Sequence, residues 1–284
     1  MTQINGAVLM SGTDYFRVEE LNPYSDAANQ PVTEVAAAEL ASIRQALESA
    51  GVAIKKVAAP VDCQDGVYVA NWGLTRGKKA VLANLPNMRK AEEPYAEETL
   101  KALGFETVKA PYPFSGQGDA LPCGNYLLCG SVYRTDPRMH DFLANELGFE
   151  VIGLQTVPAT DKDGQPITNK ITGWPDSFFY DIDLAISVLR PDLIAWCPEA
   201  FVPESQAKIR ALPADKIEVS LDEAMKGFAC NLVSTGEVVV MSDMAPQFRA
   251  AVEAKGLRTV HPPITELAKG GGFVRCTTLS LDNE

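Results

Sequence analysis

Short apolar runs alternate with longer amphipathic stretches along the whole chain of 284 residues. The clearest amphipathic stretch covers residues 33–50, where apolar residues recur every three or four positions and Gly51 follows as a stop signal. Four further stretches predict helices, over residues 92–103, 136–148, 204–212 and 245–255. Helices therefore recur at fairly regular intervals from one end of the sequence to the other.

The apolar runs between the helices come in pairs separated by turn residues, which is typical of β-hairpins. Four pairs lie at residues 67–70 with 80–82, 120–122 with 126–128, 184–189 with 193–196, and 231–233 with 238–240. A fifth pair is assembled from the two chain ends, residues 7–10 and 274–281. Each hairpin is followed by a helix and a returning apolar strand, so the unit repeats five times at an average spacing of about 57 residues.

This repeat predicts an α/β fold in which five hairpin-helix-strand units form a closed ring of blades around a central channel. Because strands from both ends share one unit, residues 1–284 are expected to form a single domain of the five-bladed α/β-propeller type. A Rossmann fold is excluded, since it has single strands between helices and a G-x-G-x-x-G turn. The run Gly270-Gly271-Gly272 leads into a predicted strand instead.

Charge and composition narrow the class of protein. The chain carries 25 Lys and Arg against 37 Asp and Glu, a formal net charge of −12. This balance argues against binding nucleic acid or an anionic membrane and is compatible with a small cationic substrate. No apolar run is long enough to cross a bilayer, and the first residues lack the features of a signal peptide, so a cytoplasmic location is expected.

The cysteine and histidine counts bear on cofactors. Six cysteines are spread along the chain without a C-x-x-C pair, and there are two histidines. A zinc site or a disulfide framework is therefore not expected, and no metal or cofactor is implied.

Polar residues interrupt otherwise apolar stretches of the sequence at six places, where reactive side chains could meet in the channel. They are Asp14-Tyr15-Phe16 with Asn22-Pro23, residues 65–71 from Asp65 to Asn71, residues 114–119 ending in Asp119, residues 131–136 containing Arg134, residues 180–183 with Asp181 and Asp183, and residues 270–277 with Cys276. Asp181 and Asp183 are expected to share one strand face, because residues i and i+2 point the same way.

Each of these residues also has an ordinary structural interpretation. Asp65, Asn71 and Asp119 are residue types that shape turns and cap helices. Arg134 could be a surface or ion-paired arginine, and the two aspartates of residues 180–183 could flank a bend in contact with solvent. Cys276 could be a thiol of the core.

Taken in order, the segments resemble the guanidine-modifying superfamily with the pentein fold, which includes amidinotransferases, deiminases and dimethylarginine dimethylaminohydrolases. The resemblance runs the whole chain and is nearest to the dimethylarginine dimethylaminohydrolase and arginine dihydrolase branch. Cys230-Asn231 adds to it, and its most specific part is the run from Lys269 to Gly272 before Arg275-Cys276. It implies the same five-bladed ring.

The resemblance also implies a covalent mechanism in which Cys276 attacks the central carbon of a guanidinium group and expels an amine. Water or another amine then resolves the intermediate. Asp119 and Asn71 match the positions that grip the guanidinium group, and Asn22 and Arg134 match those that hold the amino-acid end. Asp65, Asp183 and Asn231 complete the candidate substrate-binding set.

Two positions depart from the family pattern. Asp181 stands where the family has a histidine, and Ser115 stands where it usually has a glutamate before Gly-x-Gly-Asp. An aspartate with a reference pKa of about 3.9 is a poor acid at pH 7 unless burial and Asp183 raise its pKa. If its pKa is raised in this way, Asp181 is the candidate acid and base. Neither His140, inside a predicted helix, nor His261 is expected to enter the site.

The sequence thus predicts a cysteine-dependent hydrolase of a C–N bond in a linear amidine such as arginine or a methylarginine. Two alternatives stay open, an amidinotransferase and a catalytically altered pentein that only binds a guanidino or amino-acid ligand. The expected partner is a small guanidino or amidino substrate. For the oligomeric state, only the resemblance points to a homodimer.

Overall fold

The computed structural model describes residues 4–19, 24–169 and 173–284. Fifteen strands in this part of the chain form five sheets of three strands each. The strands are β1 Ala7–Met10, β2 Ala53–Lys56, β3 Gly73–Arg76, β4 Lys79–Leu82, β5 Glu106–Lys109, β6 Ala120–Cys123, β7 Tyr126–Gly130, β8 Glu150–Leu154, β9 Ile186–Arg190, β10 Leu193–Trp196, β11 Asp215–Glu218, β12 Val233–Ser234, β13 Val238–Val240, β14 Arg258–Val260 and β15 Leu279–Ser280.

Every sheet has the same plan. A central strand pairs antiparallel with one neighbour and parallel with the other, in the orders β3-β4-β5, β6-β7-β8, β9-β10-β11, β12-β13-β14 and β15-β1-β2. The predicted unit of hairpin, helix and returning strand is confirmed, including the sheet shared by both ends.

Helices connect the parallel strands of each sheet, as a parallel crossover requires. They are α1 Thr33–Ser49, α2 Glu93–Ala102, α3 Met139–Leu147, α4 Pro203–Ala211 and α6 Pro246–Ala254, while the short α5 Leu221–Lys226 precedes β12. The five predicted helices are confirmed to within a few residues. Gly148 ends α3 in the left-handed conformation, with φ of 71°. The sequence pattern missed α5, which has only six residues.

Four predicted strands are wrong where they reach the candidate site residues. Of residues 231–233, only Val233 lies in a strand, β12. Residues 67–70 are not a strand, because the chain turns there into a 3-10 helix at Val69–Trp72 and the strand begins at Gly73. Residues 184–185 likewise precede β9 and follow a 3-10 helix at Ile182–Leu184. Residues 274–278 form a turn, so only Leu279 and Ser280 of the predicted last strand pair with β1.

Apolar packing joins the sheets to one another. The largest buried cluster includes Met10 of β1, Leu128 of β7, Trp196 of β10 and Val239 of β13, so four of the sheets contribute to it. Two smaller clusters connect the sheet of β4 with those of β7 and β1. Within the described residues, no helix combines the length and apolar character needed to cross a bilayer.

Candidate active site

Cys276 lies in a tight turn just before β15 and is 3% exposed. The turn is closed by hydrogen bonds from the Thr277 N–H to the Phe273 carbonyl (3.1 Å) and from the Thr278 N–H to the Arg275 carbonyl (3.0 Å). Gly272 makes room for the cysteine, since a Cβ at that position would lie 2.6 Å from Cys276 Cβ. The glycine run identified in the sequence therefore has a steric purpose beside the thiol.

Asn231, which lies two residues before β12, fixes the thiol. Its Oδ1 accepts hydrogen bonds from the backbone N–H groups of Phe273 (2.9 Å) and Cys276 (3.2 Å). Its Nδ2 donates to Cys276 Sγ at 3.1 Å. One buried amide side chain thus holds both the backbone of the turn and the sulfur atom.

Asp183 is the carboxyl group in contact with the sulfur. Cys276 Sγ donates to Asp183 Oδ2 at 3.4 Å. Burial raises the pKa of the Cys276 thiol well above its usual value, and the negative charge of Asp183 raises it further. Without a bound cation the sulfur is therefore protonated at neutral pH.

Asp181 does not share a strand face with Asp183, contrary to the sequence prediction, because it precedes the 3-10 helix at residues 182–184. Asp181 Oδ2 instead accepts a hydrogen bond from Asn71 Nδ2 at 2.7 Å. The same Nδ2 donates to the carbonyl and hydroxyl oxygens of Ser115, each at 2.9 Å. A Cβ at Gly118 would lie 2.7 Å from Asp181 Oδ2, so this glycine admits the carboxyl group.

Asp119 completes a group of three buried acids. Its Oδ1 accepts from the Ile182 N–H at 3.0 Å, and a Cβ at Gly130 would lie 1.8 Å from this oxygen. One oxygen of each acid is buried without a hydrogen-bond partner among the described residues, namely Asp119 Oδ2, Asp181 Oδ1 and Asp183 Oδ1. Buried acceptors without donors are costly, so the cluster is suited to a ligand that carries several N–H groups.

The three acids do not titrate alike. Burial raises the pKa of Asp119 and Asp183 well above the usual range, and the charge of Asp181 raises both further. Burial also raises the pKa of Asp181, but the positive charge of Arg134 and hydrogen bonds oppose the rise. Asp181 therefore differs from the other two acids in that the charge of Arg134 works against the rise of its pKa.

Two further candidate residues, Arg134 and Asp65, have neighbours of their own. The guanidinium carbon of Arg134 is 5.0 Å from the ring centre of Tyr180 and 5.9 Å from that of Trp174. The carboxyl group of Asp65 lies 3.7 Å from Arg89 Nε. The remaining candidate, Asn22, falls outside the described residues.

Sequence reasoning missed a buried ion pair behind Asn71. Arg89 Nη1 donates to Asn71 Oδ1 at 2.7 Å, while Arg89 Nε and Nη2 donate to the two carboxylate oxygens of Glu92 at 2.7 and 2.8 Å. This arrangement turns the Asn71 amide so that its NH₂ faces Asp181. The only signal in the sequence was the i, i+3 spacing of Arg89 and Glu92, which is also common on exposed helices.

His140 has its hydrogen-bond partners away from the thiol, and His261 lies after β14. His140 Nε2 lies 2.9 Å from the Gly130 carbonyl and 3.3 Å from Ser131 Oγ. His261 follows β14, and its Nε2 is buried without a partner among the described residues. In the described part of the chain, no group of three or more His, Cys, Asp or Glu side chains could hold a metal ion.

Comparison with known proteins identifies the family. The family described as N,N dimethylarginine dimethylhydrolase, eukaryotic, matches residues 17–282. A dimethylarginine dimethylaminohydrolase of Mycobacterium tuberculosis is 32% identical over 262 residues, which are 92% of this chain and 80% of the relative. The chain belongs to the dimethylarginine dimethylaminohydrolase family.

Solved structures of an arginine dihydrolase resemble this chain. The N-terminal domain of ArgZ, a cyanobacterial arginine dihydrolase solved with substrate, is 26% identical with a TM-score of 0.87, and 98% of each chain is covered. A variant of that domain was solved with a covalently bound reaction intermediate, again at 26% identity and a TM-score of 0.87, over 98% of each chain. The full-length bifunctional ArgZ of Synechocystis is 27% identical, and the match covers 96% of this chain but only 37% of the relative.

Proposed function

We propose that this protein hydrolyses a C–N bond of a guanidino compound, such as arginine or a methylarginine, through a covalent intermediate on Cys276. The observation that carries the proposal is the buried thiol beside three carboxyl groups that each have one unpartnered oxygen. A guanidinium group is planar, positively charged and has only N–H donors, so it complements such a cluster. Membership of the family and the covalent intermediate of the ArgZ domain support the same chemistry.

In this mechanism the substrate cation lowers the pKa of the thiol, because its positive charge favours the thiolate. The thiol proton passes to Asp183 Oδ2, and the sulfur attacks the central guanidinium carbon to form a C–S bond. The C–N bond breaks, and the amine leaves with a proton from the carboxyl cluster, for which Asp181 is the proposed donor. Water then gives a proton to Asp181 and attacks the same carbon. The C–S bond breaks, and Asp183 returns its proton to the sulfur, which restores the thiol.

The proposed roles of the remaining residues follow from their contacts. Asp119 would accept N–H groups of the guanidinium through its free oxygen, and Asn71 would hold Asp181 in place. Arg134, beside Tyr180, would pair with the anionic end of an amino-acid substrate, with Asp65 further out as a partner for a positive group.

We also propose that the five sheets close into a ring of blades and that residues 1–284 form one domain. The repeated sheet plan, the pairing of β15 with β1 and the similarity to the ArgZ domain support this arrangement. A homodimer stays a prediction from the resemblance.

The test is direct. The purified protein is incubated with arginine, methylated arginines, agmatine and short guanidino acids, and products and ammonia are followed by mass and by assay. We expect turnover of at least one compound and its loss in Cys276→Ser, since serine is a far weaker nucleophile here. No turnover of any compound, together with no labelling of Cys276 by a haloacetamidine, would falsify the proposal.

One observation favours a second candidate, ligand binding without turnover. No imidazole contacts the thiol or the three acids in the described part of the site, so proton transfer depends on carboxyl groups alone. If Asp181→His creates activity that the parent lacks, the parent only binds its ligand. If Asp181→Ala abolishes an existing activity, Asp181 is a working acid and base. Product formed only when a second amine is present would instead indicate amidine transfer.

A further inference from the structure

Two arginines of the described chain are buried, Arg89 and Arg275. Carboxylates balance the charge of Arg89, whereas none in the described chain lies next to Arg275. Arg89 has the carboxylate of Glu92 at 2.7 Å and that of Asp65 at 3.7 Å. Arg275, which is 5% exposed, has no carboxylate oxygen of the described residues within 4.0 Å of its guanidinium nitrogens. A buried cation without a partner anion is costly, so the charge of Arg275 needs an explanation.

The hydrogen-bond partners of Arg275 are all neutral. Its Nη2 donates to Gln117 Oε1 at 3.0 Å, and its Nη1 donates to Ser280 Oγ at 3.0 Å and to Asn5 Oδ1 at 3.3 Å. Gln117 is itself fixed, because its Nε2 donates to the Ser280 carbonyl at 3.0 Å. These contacts hold the guanidinium in one orientation without cancelling its charge, and Nε has no partner among the described residues.

The positive charge of Arg275 acts on the acidic groups beside the thiol. Arg275 precedes Cys276 in the same turn, and its positive charge lowers the pKa of Asp183, the group that accepts the thiol hydrogen bond. Asp183 and Cys276 in turn raise the pKa of Arg275 against the effect of burial. Arg275 and Asp183 also line one cavity of about 400 Å³, together with the charged residues Arg76, Asp282 and Glu284.

We propose that Arg275 is a positioning residue whose uncompensated charge allows the Cys276–Asp183 pair to carry one negative charge. This inference rests on the proposed function for its purpose, because a thiol–carboxylate pair that shares one proton is the state that attacks a guanidinium. Gln117, as a neutral amide, keeps Arg275 in place without neutralising it. A carboxylate at position 117 would form an ion pair with Arg275 and remove its field from the thiol.

The experiment measures the pH dependence of Cys276 alkylation by iodoacetamide, a neutral probe, at the level of the Cys276 peptide. In Gln117→Glu we expect the midpoint to rise by about one pH unit, so that the rate at pH 7 falls about tenfold. Arg275→Met should shift the midpoint in the same direction, and Arg275→Lys should shift it less because the positive charge is kept. Asn125→Asp is the matched control, since it adds a carboxylate to the lining of the same cavity without a contact to Arg275.

An unchanged midpoint in Gln117→Glu, with a melting temperature close to that of the parent, overturns the inference. A shift in Asn125→Asp as large as in Gln117→Glu overturns it too, since the effect would then be a general one of added charge. Alkylation needs no turnover. A parent protein that turns over no guanidine and is not labelled by a haloacetamidine, yet shows the shift with iodoacetamide, would therefore refute the proposed function and leave the role of Arg275 standing.

Discussion

Asp65 shows at the scale of one residue what burial does to a carboxyl group in this protein. Its side chain is buried beside Arg89, with 3.7 Å between Arg89 Nε and the carboxyl oxygen. Burial raises the pKa of Asp65 to about 6, although the charge of Arg89 opposes the rise. In the unfolded chain the same group has a pKa of about 3.9. The folded state therefore binds this proton more tightly than the unfolded state does.

The sign of the pH effect follows from that difference. Between about pH 4 and pH 6 the unfolded chain loses the proton of Asp65 first, so the contribution of Asp65 to the free energy of unfolding falls as the pH rises. We expect Asp65→Asn to lack this slope, so that the parent loses about 2 kcal/mol relative to the variant between pH 4 and pH 7. Urea unfolding at several pH values measures the free energy of unfolding of both proteins. A difference between the two that does not change with pH would contradict the raised pKa of Asp65.

Residue types were easier to predict than side-chain partners. Acids and a thiol that interrupt apolar stretches of the sequence indicated the candidate residues Cys276, Asp119, Asp181 and Asp183. That Asp183, rather than Asp181, contacts the sulfur depends on a 3-10 helix that the sequence pattern did not reveal. Partners far apart in sequence are set by how the sheets pack.

At the scale of elements, the site is built by irregular segments at the ends of regular ones. The 3-10 helices Val69–Trp72, Gly116–Gly118 and Ile182–Leu184 and the turn at residues 272–278 carry or adjoin its main side chains. The hairpins were predictable because turn residues separate their strands. The irregular segments were not, because a short apolar run such as residues 67–70 has the same pattern in a strand and in a buried turn.

Gly272→Ala tests how closely the turn packs around Cys276. The new Cβ would lie 2.6 Å from Cys276 Cβ, 2.9 Å from its Sγ and 2.9 Å from Tyr68 Cε1. Since the turn must shift to relieve these contacts, we expect at least a tenfold loss of Cys276 alkylation and of turnover, with about 1–3 kcal/mol lost in stability. Alkylation rates and urea unfolding measure both effects.

Gly164→Ala is the control for backbone strain. Unlike Gly272, this glycine has a positive φ, 78°, but a Cβ there would meet nothing within 4 Å. It should cost about 1 kcal/mol and leave the alkylation rate unchanged. Equal rate losses in the two variants would show that contact with the turn is not the cause.

At the scale of the whole molecule, the two ends of the described chain meet in one sheet. Val8 pairs with Ser280 and Leu9 with Leu279. The Ser280 carbonyl also accepts hydrogen bonds from Thr75 Oγ1 (2.7 Å) and Gln117 Nε2 (3.0 Å), which belong to two other sheet units. The repeat count predicted this shared sheet, whereas the contacts of Ser280 with the other units depend on how the units pack.

Deletion of residues 279–284 tests this closure. It removes β15, the partner of β1, together with both acceptor contacts of Ser280, so we expect the cooperative thermal transition to be lost. Deletion of Glu284 alone keeps β15 and should change the melting temperature by no more than a few degrees. Circular dichroism melts compare the two. A cooperative transition of the longer deletion near the parental temperature would show that the end pairing is dispensable.

The pairing of β1 with β15 also has a consequence for biosynthesis. During synthesis β1 has to wait for β15 before their shared sheet is whole, and contacts so distant along a chain form slowly. Cys276 precedes β15 directly, and its turn is anchored by Asn231. We therefore expect nascent chains that end before β15 to lack the ordered turn that holds the Cys276 thiol.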